Sequence, residues 1–366
     1  MTAGRVLLTG ATGYIGARVA ATYLEHTDSP LELWLHAGDR AAAEAKAARL
    51  RPLLDAHPGR ARLSFGDLTD DDPFAAVDRA GISAIVHSAA VTRFNVDRDT
   101  AERANVRGTE QTLRLAAACP ALESIGLVST IYASGMRAGR IQEQPAGPRP
   151  AFANHYEWSK WEAEQLVWAR FCELPVRVLR LATVIADDEA GRVEQYNAFH
   201  NTLKLFFYGL LSLLPGELGT PLYFTTGRFA AEAIVALVGD PGAGGVYHLA
   251  PACEDAITLE RLVALAFARF GAADEFRRKR ILAPVYADAD AFDLLASGVT
   301  SFGGSVVNQA LSSVVPFARQ LFVRKDVRNA RLRAALPGAR PAVSPELIER
   351  TCDALVRTRW GRHAAA

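Results

Sequence analysis

The chain has 366 residues, 50% of them apolar, with 41 basic against 40 acidic side chains and a formal charge of +1. That balance excludes a disordered chain and a surface built for nucleic acid, and the length leaves room for one large domain plus an appended lobe. Only five of the basic residues are Lys, so the Arg excess reads as compositional bias.

Short apolar runs predict strands over Arg5–Thr9, Leu31–His36, Arg62–Phe65, Ala84–Ser88, Ser124–Ser129 and Val176–Leu181. Helical periodicity fills the gaps over Ile15–Glu25, Arg40–Ala56, Pro73–Arg79, Thr100–Ala118 and Asn154–Phe171. This alternation predicts an α/β fold, a Rossmann-type doubly wound parallel sheet with helices on both faces. Beyond Leu181 the pattern gives helices over Tyr196–Leu214, Thr226–Val238 and Leu259–Phe270, and a strand at 246–250 that returns to the main sheet. From about residue 277 the chain reads as helical and basic, punctuated by Pro284, Pro316, Pro337, Pro341 and Pro345. The resulting division is a cofactor-binding core over 1–185 and a smaller, mostly helical substrate lobe over 186–366. The stretch Met136–Pro150 is a long loop, and long loops inside compact domains are usually functional.

Cys119, Cys172, Cys253 and Cys352 form no CxxC pair and have no His at a ligand spacing, so no metal site or disulfide framework is expected. The first residues lack the features of a secretory signal. The most lipophilic stretch, Leu203–Leu214, includes Lys204 and falls short of the ~20 residues that span a bilayer. A cytoplasmic protein without a transmembrane segment is expected, with Leu203–Leu214 as a core or pocket helix.

Thr9–Gly16 reads TGATGYIG at the end of the first strand. Such glycines allow a tight turn and a close backbone approach to a pyrophosphate, which the helix N-terminus then faces. Gly10, Thr12, Gly13, Tyr14, Ile15 and Gly16 are therefore candidate cofactor contacts. An NAD site usually places an acid at the end of the second strand. Here His36 takes that place and Arg40 follows within reach of a 2′-phosphate, which favours NADPH over NADH, although Asp39 lies between them. Asp67, followed by Leu68, ends the third strand near an adenine. Ser88, Ala89 and Ala90 let a cofactor lie against the backbone after the fourth.

In Tyr156-Glu157-Trp158-Ser159-Lys160 the Tyr and Lys are one helical turn apart and share a face. A neighbouring cation is expected to lower the phenol pKa from about 10 and let Tyr156 exchange a proton with a carbonyl oxygen. Thr130, with Ser129 as the second choice, stands at the strand edge where such sheets bind ligands, able to bond a developing oxyanion.

With TGATGYIG, GDL (Gly66–Leu68), HSAA (His87–Ala90), NVRGT (Asn105–Thr109), VST (Val128–Thr130), YEWSK (Tyr156–Lys160) and VRVLRLATV (Val176–Val184), the chain resembles an extended short-chain dehydrogenase/reductase. The resemblance implies Tyr156 as general acid or base, Lys160 on the nicotinamide ribose and tuning the Tyr, Thr130 orienting the substrate oxygen, and Asn105 supporting a proton relay. The form VST-x-Y, the second-strand ending and the VYHLA strand followed by ITLERL are similar to the reductases of thioester-bound acids. These include fatty acyl-CoA reductases and the terminal reductase domains of carboxylic acid reductases and peptide or polyketide synthases. Two positions depart from the pattern, Arg180-Leu181-Ala182 and Thr226-Gly227-Arg228.

The resemblance implies NADPH-dependent reduction of an acyl thioester, bound to coenzyme A or an acyl carrier protein, to aldehyde or alcohol. Leu203–Leu214, with Phe206, Phe207 and Tyr208, is the candidate acyl cleft. The basic cluster Arg324, Lys325, Arg328, Arg331, Arg333 and Arg340, with Arg277, Arg278, Lys279 and Arg280, is a candidate surface for the carrier or CoA. Three other readings stay open: a ketone or aldehyde reductase like the hydroxysteroid dehydrogenases, a nucleotide-sugar epimerase or dehydratase, and a non-catalytic dinucleotide sensor. A homodimer is also allowed for.

Overall fold

Every strand of the main sheet runs parallel, because the helical crossovers between them leave no room for hairpins. In the computed structural model β1 (Arg5–Thr9), β2 (Leu31–His36), β3 (Ala61–Gly66), β4 (Ile82–His87) and β5 (Ser124–Thr130) join the strands Val176–Leu181 and Gly245–Leu249. The seven lie in the order 245–249, 176–181, β5, β4, β1, β2, β3. The structure describes residues 4–240, 242, 244–294, 315, 317–341 and 343–361, so Met1–Ala3, Pro316 and part of the expected helical lobe lie outside it.

The order reverses between β1 and β4, which makes the crevice beyond their C-terminal ends the place for a ligand. Helices Tyr14–His26 and Gly227–Gly239 pack together over one face of the sheet, and Gly108–Ala117 and His155–Arg170 cover the other. A second apolar core forms among the helices Ala198–Phe207, Leu259–Phe270 and Pro345–Arg357.

Several elements differ from expectation for identifiable reasons. Arg40–Ala56 breaks into Arg40–Ala47 and Arg51–Ala56 around a 3₁₀ turn, since Pro52 has no N–H to give the helix. Pro73–Arg79 is a series of turns that bury Phe74 and Val77, with the Trp34 indole donating to the Pro73 carbonyl at 2.9 Å. The stretch Glu102–Arg107 winds as π-helix, a local widening that recurs at functional sites. The helix begun at Ala198 stops at Phe207, and Leu213–Pro215 is a strand paired with Val285–Ala287.

The long loop after Met136 fastens the C-terminal segment. Gly139–Ile141 pairs in parallel with Lys325–Val327. The Glu143 carboxylate accepts backbone N–H groups from His248, Arg331 and Leu332, capping the start of the helix Ala330–Ala335.

Candidate active site

Gly10 adopts φ +74°, and a Cβ there would stand 2.7 Å from the Ala89 nitrogen. A Cβ on Gly16 would stand 2.1 Å from the Gly10 carbonyl oxygen. Both glycines are thus required for β1, its turn and the following helix to lie this close to the end of β4. Gly13 N–H donates to the Gly10 carbonyl at 2.9 Å and opens the helix Tyr14–His26 with no side chain capping it. The free N–H groups of that first turn, beside the half-buried Thr12 and Ile15 and the backbone of Ser88, Ala89 and Ala90, fit a pyrophosphate.

His87, the last residue of β4, is a buried strut beneath this cradle. Its ring meets the hydroxyls of Thr9 at 2.8 Å, Thr112 at 3.1 Å and Thr109 at 3.3 Å. Burial, with a smaller push from Lys160, takes its pKa down to about 3, so it is neutral. Tyr14 turns its hydroxyl away from the loop and donates to Asp187 Oδ1 at 2.6 Å, under Arg18, which pairs with the same carboxylate at 2.8 Å. Its side chain therefore ties the glycine loop to the stretch after Val176–Leu181.

At the end of β2, His36 is exposed and stands 3.7 Å from the Asp67 carboxylate. Asp39 does not stand in for the missing acid: its carboxylate accepts the Ala42 N–H at 2.8 Å and caps the helix Arg40–Ala47. Arg40 is exposed and pairs with Glu44 at 3.0 Å. Lys46, overlooked in the sequence, reaches the His36 carbonyl and adds a second cation. Burial pushes the Asp67 carboxyl upward, but hydrogen bonds from Thr69 and the charges of His36 and Lys46 together hold it below its ordinary value. Leu68 is buried against Gly108.

Asn154 caps the helix His155–Arg170 by accepting the Glu157 N–H at 2.9 Å. Its first two turns are buried almost all round, which brings Tyr156 and Lys160 under the end of β5. Tyr156 is hydrogen-bonded to Thr130. Thr130 also donates to the Leu181 carbonyl at 3.4 Å and accepts the Tyr132 N–H at 3.3 Å. Ser129 is committed elsewhere, donating to Glu164 at 2.6 Å, which leaves Thr130 as the hydroxyl at the phenol.

The expectation of a lowered phenol pKa is reversed. Burial first, then the Glu157 charge, raise it, and the Thr130 bond offsets only part. Lys160 donates to the Val128 carbonyl at 2.9 Å, and burial, opposed by Glu164, brings its pKa down to about 8. The site thus holds a phenol that stays protonated at neutral pH and gives its proton only to a strongly basic acceptor such as a developing oxyanion.

Behind it runs a buried network. Arg180 grips Glu164 with two nitrogens, at 3.0 and 2.6 Å, and donates to His248 Nε2 at 3.2 Å. His248 Nδ1 donates to the Arg328 carbonyl at 2.7 Å. Asn105, in the π-helical turn, accepts the Val91 N–H at 2.8 Å and donates to the Val91 carbonyl at 3.0 Å and to Ser159 at 2.9 Å. Those bonds hold the loop after β4 against the helix of Tyr156.

Aromatic rings line the approach to the phenol. Phe94 meets Tyr156 edge-on at 5.7 Å and stacks on Phe317 at 5.3 Å, and Phe317 meets Tyr132 at 5.3 Å. The expected cleft at Leu203–Leu214 is instead core: Phe206 and Phe207 are fully buried, with Phe207 packed on Phe270, Phe276 and Trp360. Hydropathy marked the stretch as buried without saying against what. The expected basic surface stays mostly exposed, as at Arg324, Arg333, Arg340 and Arg277–Arg280, with a few of its members buried or paired. Lys325 is buried, Arg328 pairs with Asp326 at 2.6 Å, and Arg331 lies over Tyr247 and donates to the Gly244 carbonyl. Among the described residues no helix is long and apolar enough to cross a membrane.

A family model described as Male sterility protein matches residues 8–234. Among curated relatives, the isonitrile lipopeptide synthase of Streptomyces coeruleorubidus is 31% identical over 219 residues, 56% of this chain and 15% of that protein. The chloroplastic fatty acyl-CoA reductase 2 of Arabidopsis thaliana is 29% identical over 163 residues, 38% of this chain and 26% of that protein. The aligned stretch is thus a minor part of both relatives. A crystal structure of the terminal R domain from the myxalamid PKS-NRPS biosynthetic pathway matches with a TM-score of 0.78 at 22% identity. That match covers 100% of this chain and 94% of that one, and it shows a shared fold. The chain belongs to the Male sterility protein family, of the NAD(P)-dependent extended short-chain dehydrogenase/reductase type.

Proposed function

We propose that the chain reduces an acyl thioester, carried on coenzyme A or an acyl carrier protein, with NADPH. The observation that carries this reading is the buried Tyr156 beside Thr130 at the C-terminal edge of the sheet. The thioester is inferred from the names of the similar proteins, a lipopeptide synthase, a fatty acyl-CoA reductase and a terminal R domain.

The uncapped helix after Gly13 would hold the pyrophosphate, Asp67 and Leu68 the adenine side, and Lys160 the nicotinamide ribose. Bound NADPH supplies the hydride. Tyr156 gives its proton to the substrate oxygen and Thr130 hydrogen-bonds the same atom as charge develops there. Collapse of the tetrahedral adduct breaks the C–S bond, its hydroxyl proton passing to the departing sulfur, and leaves an aldehyde and a thiol. A second round with a second NADPH, and a proton again from Tyr156, reduces the aldehyde to the alcohol. Asn105, with its amide bonded to Val91 and Ser159, acts by holding the site together.

Arg40 and Lys46 flank the end of β2 where an acid would select NADH. Arg40→Ala is expected to raise the Kd of NADPH about tenfold, the worth of one charge-assisted phosphate contact, with the Kd of NADH unchanged. Equal effects on both would remove the NADPH assignment. Phe94→Ala is expected to raise KM for the acyl substrate about tenfold, as the truncated ring no longer excludes water beside Tyr156, with the Kd of NADPH unmoved. An unchanged KM would place the acyl group elsewhere. The direct test of the reaction is product analysis with acyl-CoA or acyl-carrier substrate, in which one free thiol should appear per NADPH consumed where aldehyde is the product and per two NADPH where alcohol is.

A further inference from the structure

Glu157, the residue after Tyr156, is wholly buried and points into the junction with the C-terminal segment. Its Oε2 accepts the Ala153 N–H at 3.1 Å and Gln320 Nε2 at 2.9 Å, and its Oε1 accepts from Asn154 at 3.0 Å. Gln320 Nε2 also reaches the Gly135 carbonyl at 3.3 Å. Lys325, 4% exposed, donates to the carbonyls of Gly135 and Arg137 and supplies the opposing charge. The same segment holds Tyr156 from its other side, since Phe317 stacks on Phe94 and Phe94 meets the phenol ring. Residues 317–325 thus bond Glu157 directly through Gln320 and reach Tyr156 only by way of Phe94.

We propose that Glu157 is a positioning residue through which Gln320, in the segment 317–325, sets the start of the helix that carries Tyr156. The inference rests on Tyr156 being the proton donor of the reaction. A carboxylate beside the phenol opposes formation of phenolate. Burying a carboxylate is costly unless it is hydrogen-bonded, so one held by three hydrogen bonds next to the reacting group points to control of where that group sits. The titratable groups facing Glu157 are Lys325 from the C-terminal segment, Tyr132 from the turn after β5, and Tyr156 itself. Burial, opposed by hydrogen bonds and by Lys325, lifts Glu157 to about 7, so its charge changes near neutral pH.

The test is the pH dependence of kcat for the full chain at saturating NADPH, using whichever acyl-CoA or aldehyde it turns over. NADPH Kd is measured in parallel. Wild type should show a limb near pH 7. Glu157→Gln should abolish that limb and lower kcat about tenfold, within the cost of misplacing a reacting group, with Kd for NADPH unchanged. Lys325→Met should move the limb to higher pH, because Glu157 loses the cation that favours its charged form. Gln320→Leu keeps the Glu157 carboxylate but removes its bond to the segment, and should lower kcat at all pH values. A wild-type pH profile in Glu157→Gln, or wild-type kcat in Gln320→Leu, with Tyr156→Phe inactive, would overturn the inference alone. Turnover surviving in Tyr156→Phe would overturn the underlying reading instead.

Discussion

Tyr156→Phe is expected to lower kcat by about 10²–10⁴-fold, the usual contribution of a positioned proton donor, and to leave the Kd of NADPH and thermal stability close to wild type. The ring stays packed on Phe94 and only the hydroxyl bonded to Thr130 is lost. Single-turnover kinetics with excess enzyme isolate the chemical step. Thr130→Val should fall in the same direction by a smaller factor, since the oxyanion keeps its proton donor, whereas Ser129→Ala should act on stability, its hydroxyl being bonded to Glu164. Burial raises the phenol pKa, so raising the pH through the neutral range leaves the phenol protonated and reduction supported. A loss of activity that followed phenol ionisation near neutral pH would contradict this assignment.

Glu164→Ala should destabilise the fold by about 3–5 kcal/mol, the cost of breaking a buried pair by removing one partner. Glu164 is fully buried, gripped by Arg180 and bonded to Ser129, and Arg180 leads on to His248 and the Arg328 carbonyl. The substitution leaves Arg180 as an uncompensated buried cation in the strand next to the edge of the sheet. Denaturant unfolding of the two proteins measures the difference. The double variant Glu164→Leu with Arg180→Met should recover much of the loss, because apolar groups of similar volume replace the whole pair. A single variant within 1 kcal/mol of wild type, about the size of an exposed pair, would mean that water reaches the site.

The sheet was legible because its strands are buried on both sides and carry continuous apolar runs, and because the six strand segments predicted before residue 185 recur with shifts of at most two residues at an end. Tyr156 and Lys160 were legible as a pair because helical spacing alone puts positions i and i+4 on one face. Their electrostatics were not. Spacing says that Lys160 is near the phenol, whereas burial of both groups and the adjacent Glu157 decide the direction of the shift. Tyr14 stood inside a cofactor motif, and only tertiary placement shows its hydroxyl bound to Asp187. A charge count at the carboxy-terminal cluster likewise does not tell buried Lys325, or Arg331 over Tyr247 and Arg328 beside Asp326, from the members that stay exposed and unstacked. Phe94, Phe317 and Tyr132 come from distant parts of the chain. The signal for them was weak, a lone Phe in the loop after the fourth strand.

The central claim is that this site transfers two electrons from NADPH to a thioester carbonyl with Tyr156 as proton donor. The most direct measurement is NADPH oxidation by the purified chain against a panel of acyl-CoA and acyl-carrier thioesters, with aldehyde and free thiol quantified. The account predicts one aldehyde or its alcohol, one thiol and stoichiometric NADPH consumption, abolished in Tyr156→Phe. Tight cofactor binding with no oxidation by any thioester, or interconversion of a nucleotide sugar without net cofactor consumption, would contradict it.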